Sequence, residues 1–245
     1  MSGTVYQAAA GAMLQQMRLD VLSNNLANVN TVGFKADKPV FRVNTVGQPQ
    51  SSRIATPRLS PYAPPLEQRV DFSGGSVKQT ENPLDVAIQG DGFFVVQSPD
   101  GLKYSRKGSF SINDQGLLST AEGWPVMGQG GEIAIEGSRL QINEQGEVFV
   151  DDNLVDTLRI DDFAKPYDLQ KAGDTLFVPA NDKALAEPAV DYHVSQGFVE
   201  LSNVDAIRTM TEIIETLRVF ESYQHVIRAA DDASAKTVNE VGAVA

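Results

Sequence analysis

The chain has no cysteine, two histidines and one tryptophan among its 245 residues. Without cysteine there are no disulfides, no thiolate zinc sites and no iron–sulfur clusters. Neither His193 nor His225 has a metal-ligating neighbour at helical or hairpin spacing, so both read as surface or packing residues. Long hydrophobic runs are missing too. None approaches the roughly 18–20 residues needed to cross a bilayer, and the N-terminus lacks the basic-then-apolar pattern of a secretory leader. The spacing therefore predicts no membrane insertion and no cleaved signal. Positive charge is scarce: 20 Lys and Arg stand against 32 Asp and Glu, a net charge of −12. That balance argues against a nucleic-acid binder working by phosphate neutralisation.

Catalytic fingerprints are equally thin. There is no G-x-S-x-G, P-loop or dinucleotide motif, and Gly128-Gln129-Gly130-Gly131 has the wrong spacing for one. Asp151-Asp152 and Asp161-Asp162 suggest a glycosidase dyad or a calcium loop, but adjacent residues on a strand point to opposite faces. They read as solvated loop acids. Trp124, beside a turn, reads as a packing residue rather than a sugar platform. No catalytic residue, cofactor or metal is expected.

What is present is sharply partitioned. No proline precedes Pro39 or follows Pro188, six of the twelve lie between Pro39 and Pro65, and neither proline nor glycine occurs between Asn203 and Val241. Residues 1–75 carry net charge +3, residues 76–197 carry −11 and residues 198–245 carry −4. These shifts divide the chain into an N-terminal helical segment (1–35), a proline-rich extended arm (36–75), a central β domain (76–197) and a long C-terminal helix (198–245). The fold class is α+β: terminal coiled-coil-type helices packed together, with a central all-β domain of sandwich or irregular-barrel type.

The two end segments share a narrow apolar period near 3.5 residues. The first seam runs Val5, Ala8, Ala12, Gln15, Leu19, Leu22, Leu26 and Val29, with Thr4 as the expected N-cap. The second runs Ala206, Met210, Ile213, Leu217, Phe220, Gln224, Ile227, Asp231, Ser234, Val238 and Val241, and Ser202 with Asp205 resembles a capping box. Burying the first seam's leucines and valines contributes on the order of 10 kcal/mol. Ordering about 25 residues costs roughly 1–2 kcal/mol each, only partly offset by hydrogen bonds. The expectation is that both ends are mobile in the isolated monomer and order only when many copies pack.

Between them, Val86–Ile88 and Phe93–Gln97 are strand-like around Gly90-Asp91-Gly92. Phe110–Ile112 and Leu117–Ser119 flank Asn113-Asp114-Gln115-Gly116, and the phrase returns as Asn143-Glu144-Gln145-Gly146 before Val148–Val150. Further strands are expected at Leu158–Ile160, Thr175–Val178 and Val190–Val194.

One motif goes beyond generic patterning. Asn24-Asn25-Leu26-Ala27-Asn28-Val29-Asn30-Thr31-Val32-Gly33-Phe34-Lys35 resembles the signature of the bacterial flagellar rod and hook family. Leu201-Ser202-Asn203-Val204-Asp205 resembles its C-terminal counterpart. Pro83–Ile88 and Gly92–Val96 are similar to the opening of its central β domain. Asn82–Ala87 and Trp124–Gly128 look most like the proximal-rod branch, with the distal rod as the alternative. The resemblance implies a non-enzymatic structural subunit that assembles with copies of itself and other flagellar rod proteins into an axial, torque-transmitting helical tube. It also implies export through the flagellar type III apparatus and residence in the basal body. The implied assembly residues are Val5, Ala12, Leu19, Leu22, Asn24, Asn25, Leu26, Ala27, Asn28, Thr31, Gly33, Phe34, Ser202, Asn203, Val204, Met210, Ile213, Leu217, Phe220 and Ile227. A carbohydrate-active β-domain enzyme is the rival from another class, and it needs two carboxylates converging in a cleft.

Overall fold

The computed structural model describes residues 2–41, 66–173, 175–181 and 184–242. The chain divides into two compact units, each built from separated stretches: 1–27, 37–69 and 205–245 in one, 28–36 and 70–204 in the other. Residues 42–65, the middle of the proline-rich arm, lie outside the described residues.

The first unit contains α1 (Ser2–Ala27), β1 (Asp37–Phe41), β2 (Leu66–Val70) and α2 (Ala206–Gly242), with β1 paired to β2 and α1 packed on α2. At about 1.5 Å per residue, the 37 residues of α2 span roughly 55 Å. α1 starts at Ser2, so Thr4 is inside the helix and not its cap. At α2 the cap is Asp205, whose carboxylate accepts the Arg208 amide at 3.1 Å, the position three residues into the helix. Ser202 makes a local turn instead, its Oγ accepting from Val204 N at 3.2 Å. No box forms, because Asp205 is itself the boundary residue.

The second unit is built of strands. They are β3 (Val77–Gln79), β4 (Val86–Gly90), β5 (Phe93–Ser98), β6 (Gly101–Ser105), β7 (Ser111–Ile112), β8 (Leu118–Ser119), β9 (Leu140–Ile142), β10 (Glu147–Val150), β11 (Asn153–Thr157), β12 (Ile160–Phe163), β13 (Leu169–Lys171), β14 (Leu176–Pro179), β15 (Ala186–Pro188), β16 (Tyr192–Gln196) and β17 (Phe198–Glu200). The largest sheet has the order β13-β14-β6-β5-β12-β15. Smaller sheets pair β11-β10-β9, β16-β4, β17-β3 and β7-β8.

β5 shows why the sequence folds this way. Phe93-Phe94-Val95-Val96 is a continuous apolar run, the pattern of a strand covered on both faces. Phe93 and Val95 enter a core with Tyr104, Phe163 and Phe177. Phe94, on the other face, joins a second core with Val86, Phe110, Leu118, Val148 and Ile160. β4 does not pair with its sequence neighbour β5 but with β16, from Val86↔Gln196 to Gly90↔Tyr192. Gly90-Asp91-Gly92 turns the chain from one sheet to another, both glycines holding positive φ, instead of closing a hairpin. Strands expected at Leu158–Ile160 and Val190–Val194 begin two residues later, and the one expected at Thr175–Val178 begins one residue later.

The internal echo is structural. Asn113 Oδ1 accepts from the amides of Gln115 and Leu117, both at 3.0 Å. Asn143 Oδ1 accepts from Gln145 at 3.0 Å and Glu147 at 2.9 Å. Each turn ends on a glycine in the left-handed region, Gly116 at φ 76 and Gly146 at φ 82. Asn143→Ala and Asn113→Ala each strip two amides of their acceptor, and each is expected to lower unfolding free energy by about 1–2 kcal/mol in urea titrations. Unchanged midpoints for both would show that water replaces the side chain without loss.

Candidate assembly interface and the paired signature segments

Within the helical unit, α1 is covered along the expected line. Ala8, Ala12, Leu19 and Leu22 are buried, with Val21 and Asn25 beside them, while Val5, Gln15 and Leu26 are half-buried. The small residues permit close approach. A Cβ on Gly11 would meet Tyr223 Cε1 of α2 at 2.5 Å. The seam of α2 runs in a different register from the expected one. Ile213, Phe220, Gln224 and Ile227 are half-buried as foreseen, but Thr209 and Thr216 are buried in place of exposed Met210 and Leu217, and Tyr223 is half-buried beside Gln224. Threonine in the seam disguised it, because hydroxyls read as polar. Here the Thr216 hydroxyl donates to the carbonyl of Glu212 at 2.6 Å, inside its own helix, and leaves its methyl group for packing. Val238 and Val241 lie in α2, their side chains outside the described residues.

Each helix has a second apolar face. On α1, Tyr6 is 70% exposed and Met13 56%, with Met17 also exposed; on α2, Ile207 is 79% exposed and Ile214 52%, with Met210 and Leu217 exposed beside them. At about 100° per residue, Tyr6, Met13 and Met17 fall within roughly 40° of one another, nearly opposite the buried seam. The α2 group stands roughly 120° from its own seam by the same arithmetic. Asn24 and Ala27 are exposed near the end of α1. Asn25 is turned inward: its side chain donates to Asp37 O at 2.8 Å and accepts from Asp37 N at 2.9 Å, tying α1 to β1.

The remaining signature residues belong to the β unit. Asn28 accepts from the Thr31 hydroxyl at 3.1 Å, both side chains half-buried. Gly33, at φ 70, donates to Glu200 O at 2.8 Å, and a Cβ there would run into the backbone of Lys107. Only glycine fits, by conformation and by space. Phe34 is buried, with the Lys171 ammonium 4.0 Å above its ring centroid. Ser202 is buried and Val204 half-buried. Asn203 reaches back to both earlier segments, accepting from Ala36 N at 2.8 Å and donating to Asp71 O at 2.8 Å. The N-terminal and C-terminal signatures therefore meet inside one chain.

At that meeting lies a group that residue spacing did not single out. Lys35, 1% exposed, donates to the Glu200 carboxylate at 2.7 Å and to Ser73 O at 2.8 Å. Arg106 stands 3.5 Å from the other Glu200 oxygen, donates to Ile88 O and Gly90 O, and lies over the Phe93 ring. Burial holds the Lys35 ammonium below the usual lysine range, and Glu200 offsets only part of that effect. The available signal was a lysine closing the otherwise uncharged run Thr31-Val32-Gly33-Phe34, easily mistaken for a solvated charge.

Residues weighed for chemistry have ordinary environments. His193 and His225 are exposed. Asp151 and Asp152 form the β10–β11 turn, at φ 49 and 65. Asp161 and Asp162 are not the solvated loop acids expected: both lie in β12 and face apart, the first buried against Arg159 at 2.7 Å, the second half-buried and accepting from the Tyr167 hydroxyl at 3.0 Å. The loop of Gly128–Gly131 wraps a carboxylate of the chain itself, Gly130 N donating to Asp156 at 3.1 Å. Trp124 is half-buried under the Lys103 ammonium, 5.0 Å from the ring centroid.

A β unit whose chain begins and ends in one paired-helix unit defines a class of end-paired proteins with a central insertion. Three family descriptions match along it in order: "Flagella basal body rod protein" over residues 6–35, "Flagellar hook protein FlgE/F/G D1 domain" over 87–150 and "Flagellar basal body rod FlgEFG protein C-terminal" over 195–240. The flagellar basal-body rod protein FlgF of Mesorhizobium japonicum is 31% identical, over 99% of both chains. FlgF of Rhizobium meliloti is 30% identical over 97% of both. FlgG of Caulobacter vibrioides is 32% identical over 91% of this chain and 94% of its own. The chain belongs to the flagellar basal-body rod protein family, and among its members it is most like FlgF.

The contact between Gly11 and Tyr223 predicts that Gly11→Val separates α1 from α2. Far-UV circular dichroism should show lost helicity, and Gly11→Val/Tyr223→Ala should recover part of it. Full helicity in the single variant would contradict this packing.

Proposed function

We propose that this chain is a structural, non-enzymatic subunit of the flagellar basal-body rod. It polymerises with copies of itself and with other rod proteins through its terminal helices. The observation that carries this reading is the pair of uncovered apolar stripes, Tyr6, Met13 and Met17 on α1 and Ile207, Met210, Ile214 and Leu217 on α2. Contiguous exposed apolar side chains on a folded unit mark a surface that meets a partner. The stripes differ between the helices, so the contact joins unlike surfaces. Such a contact builds a helical filament when its rotation does not close a ring.

In this reading 1–35 and 198–245 supply the assembly core and 36–75 the arm. Residues 76–197 form an outer, acidic layer. Contact between the stripes of neighbouring copies follows coiled-coil packing, because Tyr6, Met13 and Met17, like Ile207, Ile214 and Leu217, recur at heptad-compatible spacing. Leu19, Leu22, Phe220 and Ile227 then hold the subunit's own ends together, while Met210 and Leu217 face a neighbour. Family membership supports residence in the basal body and export by the flagellar type III apparatus as an unfolded chain. The end-to-end match to FlgF favours a proximal-rod position. The match to relatives named FlgG keeps the distal rod as the second reading.

Met13→Lys and Ile214→Lys place a charge on each stripe without touching the inner seam. Both are expected to abolish incorporation into basal bodies while leaving the β unit folded by near-ultraviolet circular dichroism. Normal incorporation of both variants would refute the assignment of the stripes. Position is tested separately by tagging: label at the proximal end of purified rods supports the FlgF reading, and label at the distal end supports the FlgG one.

A further inference from the structure

The Lys35–Glu200 group does something the rod reading does not use. Three distant stretches run beside one another in the β unit: 33–36, 71–76 and 200–203. Their backbone bonds are few. Gly33 N donates to Glu200 O, Asp71 N to Ala36 O, Leu201 N to Ser76 O, and Asn203 N to Phe34 O. Side chains supply the rest. Lys35 ties Glu200 to Ser73 O. Glu200 Oε1 also accepts Gly75 N at 2.8 Å. Asn203 joins Ala36 N to Asp71 O and Ser73 O. Gly75 leaves no room for slippage, since a Cβ there would strike the Leu201 carbonyl. Of the four places where the chain passes between its two units, 36/37, 69/70 and 204/205 lie within two residues of Ala36, Asp71 or Asn203, and the fourth is 27/28.

This arrangement is poorly optimised for stability. Among the described residues two buried atoms, Glu200 Oε2 and Arg106 Nε, have no hydrogen-bond partner, and two cations face one carboxylate. Buried ion groups of this kind add little net stability over apolar replacements, yet they penalise any other arrangement, because a slipped register strands a charge.

We propose that Lys35, Glu200 and Asn203 form a register clamp that fixes the outgoing, returning and final segments in one alignment, so that these segments open together when the clamp is undone while the sheet around β5 persists. The clamp is a property of the single chain and stands whether or not the chain polymerises.

Native-state hydrogen exchange on the full chain tests it. Lys35→Met keeps an apolar stem and removes the charge and its donors. The amides of Gly33, Ala36, Gly75 and Leu201 should then exchange at least about tenfold faster, with those of β5 and β6 unchanged. Glu200→Gln, which keeps an acceptor for Gly75, should shift the same four amides by a smaller factor. Should Lys35→Met fail to fold, the Glu200→Gln comparison decides alone. The proposal is overturned if the four amides stay as slow as in the wild type in a folded variant. It is equally overturned if faster exchange spreads evenly through β5 and β6, which is the mark of a merely stabilising pair.

Discussion

An α-helix with apolar stripes on two sides can turn only one of them toward a single partner. This constraint governs the helical unit. α1 and α2 use one stripe each on one another, and the choice is fixed by size: Ala8, Gly11 and Ala12 let Tyr223 and its neighbours approach. Larger, more flexible side chains, the methionines of α1 and Ile207, Met210, Ile214 and Leu217 of α2, remain on the outside. The ends therefore find part of their shelter within the chain, and what is left over is a surface suited to assembly.

A second constraint acts where the ends of the chain enter the β unit. Backbone pairing alone joins 33–36, 71–76 and 200–203 weakly, so alignment falls to buried polar side chains. Phe34, Ser202 and Asn203 belong to this intramolecular junction. A signature shared along a family can thus reflect how one chain closes on itself as much as how it meets a neighbour.

Much of this was legible from residues. The absence of proline and glycine announced α2, the seam of α1 gave its buried face, and the repeated Asn-x-Gln-Gly phrase announced two turns built alike. Three features were not legible. Thr209 and Thr216 hid half of the α2 seam, because a threonine hydroxyl that bonds its own helix leaves a packing surface that polarity patterns miss. β4 and β5 are neighbours in sequence, but β4 pairs over a long range with β16 and not with β5. Lys35 was not singled out because the carboxylate that pairs with it stands 165 residues away.

The central claim is that the inner seam belongs to the subunit and the outer stripes to the assembly. Because the chain has no cysteine, single thiols report on each face without interference. Thiol labelling of Met13→Cys, Ile214→Cys, Leu22→Cys and Thr216→Cys, free and in assembled rods, tests this most directly. The account predicts rapid labelling at 13 and 214 in the free chain, protection at both in rods, and protection at 22 and 216 throughout. Equal labelling of 13 and 214 in free and assembled protein would contradict it.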